Sequence, residues 1–253
     1  MKNVVITDYS FDDLSIEKEI LEKNGLNLFS AKNPKKDELK ILTENADYII
    51  TQFAKLDSDI INNLTNAKII VRYGVGYDNV DIKTARSKKI PVCNIPDYCI
   101  DEVADHTIAF ILNTTRGIYK NHEKVSQGNW GLGVPLDDMK SLNDLNIGII
   151  GYGRIGQAVV ERLIPFKANI LISDPYFRNP TNNKGLSFVE INELFKKSDI
   201  ISLHCPSTEK TKNVINHHSL SLMKNGVSII NLGRGDLIDM KSFLNALKNK
   251  NIN

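Results

Sequence analysis

The chain has 253 residues, of which 42% are hydrophobic and 25% are charged, so it can form one or two domains with a sizeable core. Its 32 Lys and Arg residues nearly balance its 30 Asp and Glu residues. This balance gives no electrostatic reason to expect nucleic acid or a membrane surface as a partner. The apolar run at residues 108–112 is far too short to cross a bilayer, and the first residues lack the apolar segment of a signal peptide.

The cysteines narrow the class further. Cys93, Cys99 and Cys205 form neither an even set nor a CxxC pair. This usage favours a reducing compartment over a disulfide framework or a zinc site. We therefore expect a cytoplasmic protein without a metal site.

Short β-branched runs alternate with helix-length segments along the whole chain. The runs are nearly all apolar rather than alternating, which is typical of parallel strands with helices on both faces. The pattern predicts a doubly wound α/β fold. The predicted strands are residues 4–7, 48–51, 69–71, 92–94, 147–150, 170–173, 200–203 and 227–231, and the clearest helices are residues 12–24, 100–112 and 239–250.

Two domains are expected, with the crossover at residues 94–97, because Pro96 biases its neighbour toward extended backbone. Helix 239–250 is followed only by Asn251, Ile252 and Asn253, where another strand is due. We therefore expect the second sheet to be incomplete at its C-terminus.

The sharpest motif follows strand 147–150, where Gly151, Gly153 and Gly156 have the spacing GxGxxG and lead into a helix. Glycines at this spacing permit a tight turn, a close backbone approach to a pyrophosphate and close packing of helix on strand. Asp174 ends the next strand, where a carboxylate can bind the adenosine ribose and disfavour a 2′-phosphate. We therefore predict NAD rather than NADP, a preference that the nearby Arg178 tempers. The alternative is a glycine turn in another kind of α/β protein.

A second glycine segment, with Gly74, Val75 and Gly76, follows strand 69–71. Exposed backbone N–H groups at such a tip can bind a carboxylate. The alternative is a plain turn followed by a helix that Asn79 caps.

The third segment places Arg234 between Gly233 and Gly235, after the apolar strand 227–231. Open α/β sheets bind ligands at the carboxyl ends of their strands, and a guanidinium can hold a carboxylate with two hydrogen bonds. The alternative is a solvated arginine at a strand end.

Together the three segments resemble the D-isomer-specific 2-hydroxyacid dehydrogenases, and residues 93–106 are most similar to the subgroup of the C-terminal-binding-protein corepressors. The resemblance implies a flavodoxin-like substrate domain (residues 1–98), an NAD-binding Rossmann domain (residues 99–253), a homodimer, and hydride transfer between NAD(H) and a small D-2-hydroxy acid or 2-oxo acid. It implies substrate-carboxylate contacts from Gly74, Val75 and Gly76, and a catalytic Arg234. The implied NAD contacts are Val75, Gly151, Gly153, Arg154, Ile155, Gly156, Asp174, Cys205, Pro206, Leu232, Gly233 and Arg234.

The sequence departs from the family pattern after Arg234. The family has a catalytic glutamate and histidine C-terminal to this arginine, whereas residues 235–253 contain neither residue type. The five histidines all come earlier; His204 matches a cofactor-side loop rather than the acid, and His217 and His218 fit a solvated helix start. We expect a fragment of a longer enzyme that is nearly inactive alone. The alternatives are an inactive truncated relative and an NAD(H)-sensing, corepressor-like module.

The substrate itself is less defined. Gln52 and Phe53 stand where phosphoglycerate-specific relatives tend to have arginine, which disfavours a phosphorylated substrate. Lys55 and Arg72 keep that alternative open.

Overall fold

The computed structural model describes residues 1–177 and 185–252, and the Arg178 named above lies outside these ranges. The chain divides into two units, Met1–Tyr98 and Cys99–Asn253. Within the described ranges, no helix combines the length and the apolar character needed to span a membrane.

The first unit is a single parallel sheet with helices between its strands. Its elements in chain order are β1 (Lys2–Ile6), α1 (Ser15–Lys23), β2 (Leu26–Ser30), α2 (Lys36–Thr43), β3 (Tyr48–Thr51), α3 (Ser58–Asn63), β4 (Ile69–Arg72), α4 (Ile82–Ser87) and β5 (Val92–Cys93). The strand order is β2-β1-β3-β4-β5, which is the flavodoxin-like order. Ile6, Ile49 and Ile70 of the three central strands are fully buried. Ligands of such sheets bind where the order reverses, here between β1 and β3.

The second unit has the same layered plan. Its elements are α5 (Ile100–Arg116), α6 (Ile118–Ser126), β6 (Asn146–Ile150), α7 (Arg154–Leu163), β7 (Asn169–Ser173), β8 (Leu186–Phe188), α8 (Ile191–Lys197), β9 (Ile200–Leu203), α9 (His217–Leu222), β10 (Ser228–Asn231) and α10 (Met240–Lys248). The parallel order β10-β9-β6-β7-β8 corresponds to the first five strands of the Rossmann order, with its reversal between β6 and β9. The predicted α/β class with two parallel sheets is confirmed.

Helices cover both faces of the second sheet. One face packs Ile147, Ile149 and Ile170 against α5 and α7, and the other packs Ile201 and Leu203 against α8 and α10. Arg162 of α7 forms ion pairs of 2.6 Å with Asp101 and with Asp105, both on α5. An isolated parallel bridge joins Val227 to Ile252. The expected incompleteness of this sheet stays a prediction.

The structure corrects several sequence predictions. Strands β2 and β8 were not predicted; both are outermost in their sheets, and their side chains are half-buried or exposed, so neither forms an apolar run. Helix α1 begins at Ser15 rather than at residue 12. Asp239 caps α10 instead of belonging to it, because its carboxylate accepts a hydrogen bond from the Ser242 N–H. The Asn79 cap is also wrong: Asp81 caps α4, and the Asn79 amide donates to the Ala54 carbonyl.

Candidate functional site

The glycine turn of the second unit lies between β6 and α7. Gly151 has a φ of +94°, and a Cβ there would lie 2.6 Å from the backbone nitrogen of Cys205, so a side chain is excluded. A Cβ at Gly156 would overlap the carbonyl oxygen of Gly151. Gly153 is different, because no described atom lies within 4 Å of the position that its Cβ would take. The turn therefore leaves open space at one glycine only.

This open space adjoins the start of α7. Gly153 is the N-cap residue, with φ −72° and ψ −166°, and Arg154 and Ile155 form the first helical positions. The first N–H groups of a helix lack intrahelical acceptors, and the helix dipole adds positive potential there. The arrangement fits an anionic group such as a pyrophosphate.

Asp174 lies beside this turn, one residue after β7. Its two carboxylate oxygens accept hydrogen bonds from the N–H groups of Tyr152, at 2.7 Å, and Tyr176, at 2.8 Å. The Tyr152 ring packs edge-on against Phe177 and Phe188, with each pair of ring centroids 5.4 Å apart. The structure thus brings the carboxylate and the glycine turn together.

The loop after β9 lies next to the glycine turn. Burial lowers the pKa of His204 to about 4, so its imidazole is neutral at pH 7, and its Nε2 lies 2.9 Å from the Ser202 hydroxyl. Burial raises the pKa of the Cys205 thiol, and the negative charge of Asp174 adds to that shift. Pro206 follows in the same loop. These residues border the glycine turn, since Gly151 approaches the backbone of His204 and Cys205.

The loop after β10 carries Arg234. The Asn231 side chain holds this loop from both sides: its Oδ1 accepts from the Gly233 N–H at 3.0 Å, and its Nδ2 donates to the Arg234 carbonyl at 2.8 Å. The Arg234 guanidinium is half-exposed and donates to the Gly233 carbonyl at 3.2 Å. Leu232 is half-buried against the core, and a Cβ at Gly233 would lie 3.7 Å from the Cys205 carbonyl. The role of Asn231 in positioning this loop was not predicted; the sequence indicated only that Asn231 is the last residue of a strand.

In the first unit, the loop after β4 contains Gly74, Val75 and Gly76. Gly74 has a φ of +146°, and the Arg72 guanidinium occupies the position that a Cβ would take. The Asn94 amide holds the Val75 carbonyl at 2.7 Å. The loop conformation therefore requires a glycine at position 74.

A second feature of this unit was missed from the sequence. Asp8, a residue only 5% exposed, follows β1, and its carboxylate accepts hydrogen bonds from the N–H groups of Gln52, at 3.0 Å, and Phe53, at 2.7 Å. The Gln52 side chain in turn bonds to both the N–H and the hydroxyl of Ser10. An acidic residue directly after a buried strand is the signal that could have indicated it.

The fold and the glycine turn define an α/β protein of the dinucleotide-binding dehydrogenase type. The sequence profile described as "D-isomer specific 2-hydroxyacid dehydrogenase, NAD binding domain" matches residues 108–253. The chain belongs to this family. The family assignment, the oxidoreductase class and NAD as the cofactor are thereby confirmed, whereas the similarity to the corepressor subgroup stays a prediction.

Two relatives illustrate the match. The chain is 35% identical to a hydroxypyruvate reductase of Thermotoga maritima, over 87% of this chain and 71% of that protein. It is also 35% identical to a D-3-phosphoglycerate dehydrogenase of Methanocaldococcus jannaschii, over 98% of this chain but 47% of that protein.

Two solved structures share the fold over nearly the whole chain. A D-lactate dehydrogenase from Aquifex aeolicus, complexed with NAD and lactic acid, has a TM-score of 0.89 and 30% identity, covering 99% of this chain and 74% of that one. An NAD-dependent formate dehydrogenase from Staphylococcus aureus, in complex with NAD, has a TM-score of 0.89 and 28% identity, covering 100% of this chain and 79% of that one.

Proposed function

We propose that this chain transfers a hydride reversibly between NAD(H) and a small D-2-hydroxy acid or 2-oxo acid. The observation that supports this most is the open space at Gly153, where the start of α7 meets the Asp174 loop. When bound, the nicotinamide cofactor donates or accepts the hydride, while the protein binds and orients the reactants.

The second unit supplies most of the cofactor contacts. The N–H groups at the start of α7 bind the pyrophosphate, next to Gly151, Gly153 and Gly156. Asp174 accepts hydrogen bonds from the adenosine ribose and repels a 2′-phosphate, which favours NAD over NADP. The remaining contacts come from Val75, Arg154, Ile155, Cys205, Pro206, Leu232, Gly233 and Arg234.

In the first unit, we assign the substrate-carboxylate contacts to the backbone N–H groups at Gly74, Val75 and Gly76. In the second unit, we assign the catalytic role to the guanidinium of Arg234. The positive φ of Gly74 and the clamp of Asn231 on the Arg234 loop support these assignments. A guanidinium also polarises the 2-oxo group, because it stabilises the negative charge that develops on that oxygen.

The reaction also needs a proton donor, and we assign that role to no residue of this chain. Residues 235–253 contain neither glutamate nor histidine, and the neutral, half-buried His204 lies in the loop after β9. We propose that these 253 residues bind their ligands but turn over slowly, since loss of a general acid costs about 100- to 10,000-fold in rate.

The test is an assay of NADH oxidation with hydroxypyruvate, glyoxylate and phenylpyruvate, run beside a fluorescence titration of NADH. We expect saturable NADH binding and very slow oxidation. Turnover at ordinary enzyme rates would contradict the assignment of the proton donor, and no NADH binding would contradict the role of the glycine turn.

The second candidate is an NAD(H)-sensing module. The intact glycine turn, combined with the similarity of residues 93–106 to the corepressor subgroup, favours it. This function predicts that NADH changes the oligomeric state or the affinity for a partner protein. Light scattering with and without NADH separates the candidates, because the dehydrogenase does not require such a change.

We also propose a cytoplasmic homodimer. Exposed apolar side chains in and after α6, among them Tyr119 and Trp130, support self-association. The odd number of cysteines, with no CxxC pair, supports a reducing compartment. Light scattering tests the dimer, and a monomer at micromolar concentration would contradict it.

A further inference from the structure

A side-chain hydrogen bond joins two loops at the carboxyl edge of the second sheet. The loops follow β9 and β10, which are paired neighbours. The hydroxyl of Ser207, in the first loop, donates to the carboxylate of Asp236, in the second, at 2.7 Å. The two residues are 29 positions apart in the sequence, so the contact depends on the pairing of the strands. Neither residue is among those to which we assign a cofactor or substrate contact.

The loop after β9 holds Ser207 in a closed turn. The Thr211 hydroxyl donates to the Pro206 carbonyl at 2.5 Å and accepts from the Thr208 N–H at 2.8 Å. Ser207 lies between Pro206 and Thr208, so both of its backbone neighbours bind the same hydroxyl. A threonine hydroxyl that bonds to nearby backbone groups stabilises a turn of this kind. The half-buried Ser207 is thereby fixed in position.

Asp236 is bound through its backbone as well as through its side chain. Its carbonyl accepts from the Asn213 N–H at 2.8 Å. The next residue, Leu237, is fully buried, and its carbonyl accepts from the Ile215 N–H at 3.0 Å. The segment after β9 therefore binds the loop of Arg234 on the C-terminal side of this arginine.

Arg234 lies between this contact and the Asn231 clamp. The Asn231 amide donates to the Arg234 carbonyl at 2.8 Å. Arg234 is also the N-cap residue of the 3₁₀ turn Gly235–Leu237, and the Leu237 N–H donates to the same carbonyl at 3.2 Å. Asp236 is the middle residue of that turn. A shift of Asp236 would therefore move the Arg234 backbone, and the guanidinium with it.

We propose that Ser207 and Asp236 are positioning residues, whose hydrogen bond holds the Arg234 guanidinium where it polarises the 2-oxo group of the substrate. This inference rests on the proposed function, in which Arg234 has the catalytic role. A guanidinium that is held in place before the substrate binds stabilises the developing charge without reorganisation. Ser207 directly follows Cys205 and Pro206, so the bond also links the proposed cofactor loop to the arginine.

The charge of Asp236 gives the opposite expectation. A carboxylate two residues from Arg234 disfavours a bound anion, so removal of its charge alone should strengthen the binding of a 2-oxo acid. Loss of the hydrogen bond should weaken that binding. The variants Ser207→Ala and Asp236→Ala separate the two effects, because both remove the bond and only the second removes the charge.

The experiment titrates hydroxypyruvate into each variant saturated with NADH and follows binding by NADH fluorescence. We expect Ser207→Ala and Asp236→Ala each to bind hydroxypyruvate about fivefold more weakly, at nearly unchanged affinity for NADH. Ser207→Thr keeps the hydroxyl and should bind like the original chain. The matched control is Ser242→Ala, which removes a serine hydroxyl that donates to the Asp239 carboxylate and should leave hydroxypyruvate binding unchanged.

A second set of variants tests whether the bond acts through the guanidinium. Adding Ser207→Ala to Arg234→Gln should cause no further loss of hydroxypyruvate affinity, because the group that the bond positions is already absent. The same loss of about fivefold in that background would overturn the positioning role. Original affinity in folded Ser207→Ala would overturn it as well. A circular dichroism melt verifies folding, and Asp236→Ala decides the question if Ser207→Ala is not folded.

If hydroxypyruvate does not bind although NADH does, the proposed function fails, and the inference is decided by cleavage with trypsin after Arg234. Trypsin requires local opening of the chain, so a loop that the bond holds is cleaved slowly. We expect Ser207→Ala to be cleaved after Arg234 faster than the original chain and Ser242→Ala to be cleaved at the original rate, as measured by mass spectrometry. Equal rates for Ser207→Ala and the original chain would overturn the inference.

Discussion

The substitution Gly153→Ala separates cofactor binding from folding. No described atom lies within 4 Å of the added methyl group, and φ at this residue is −72°, which any L-residue adopts. The loss of unfolded-state entropy favours the variant by about 0.4–1 kcal/mol, and the poorer N-cap disfavours it by a similar amount. We therefore expect the thermal midpoint to change by only a few degrees.

The same methyl group occupies the space that we assign to the cofactor pyrophosphate. Adding a methyl group to a close-packed contact costs about 1–3 kcal/mol. This corresponds to NADH binding that is about 5- to 150-fold weaker. Titration of the variant with NADH, followed by fluorescence, measures the loss.

Gly156→Ala is the matched control, and we expect it to lower the stability of the fold, which Gly153→Ala should leave nearly unchanged. Its Cβ would overlap the Gly151 carbonyl oxygen, a backbone atom that cannot move away easily. We expect a loss of about 1–3 kcal/mol in unfolding free energy, seen as a midpoint lower by about 2–12 °C. If folded Gly153→Ala binds NADH like the original chain, the assignment of this space to the cofactor is refuted.

Three further predictions concern single side chains. Asp174→Asn should weaken NADH binding by about tenfold, because the ribose loses a charged hydrogen-bond acceptor. It should also raise the affinity for NADPH relative to NADH, because the repulsion of the 2′-phosphate is lost. Paired fluorescence titrations measure both effects. Arg234→Gln should weaken hydroxypyruvate binding by about 10- to 100-fold, and Arg234→Lys, which keeps the charge but loses the planar fork, should recover only part of that affinity; titration of each folded variant measures the loss. The pKa of His204 is lowered to about 4 in the folded protein, compared with about 6.5 in the unfolded chain. The fold therefore loses stability as the pH falls from about 6.5 toward 4, because the unfolded chain binds a proton there before the folded protein does. Urea denaturation across this pH range should show an unfolding free energy that falls with pH, and His204→Asn should make this dependence weaker. An equal dependence in both proteins would contradict the lowered pKa of His204.

The central strands and the glycine turn could be predicted because their signals are local. Apolar runs mark β6, β7 and β9, which are buried on both faces. Gly151, Gly153 and Gly156 lie within a single turn, and their spacing already reflects the dihedral angles and close approaches of that turn. Edge strands β2 and β8 carry no such signal, because none of their side chains is fully buried.

Capping and positioning residues were harder to predict. Asn79 is in a plausible position for a cap, but its amide donates to Ala54, and Asp81 caps the helix. Asn231 was treated as the end of a strand, although its side chain holds the Arg234 loop. Both outcomes depend on which polar group a side chain meets after folding, and several partners are available along the chain.

The amino-acid sequence by itself determined the α/β class, the family and the dinucleotide turn, because strand periodicity and the backbone freedom of glycine act over a few neighbouring residues. Only the tertiary structure decided that Asp8 meets Gln52 and Phe53, 44 and 45 positions away, and that Asp174 is held by the N–H of Tyr152. These contacts follow from strand order, which sets the loops that share an edge of the sheet. Strand order depends on how the crossover helices pack, and that packing is a property of the whole core rather than of any local segment.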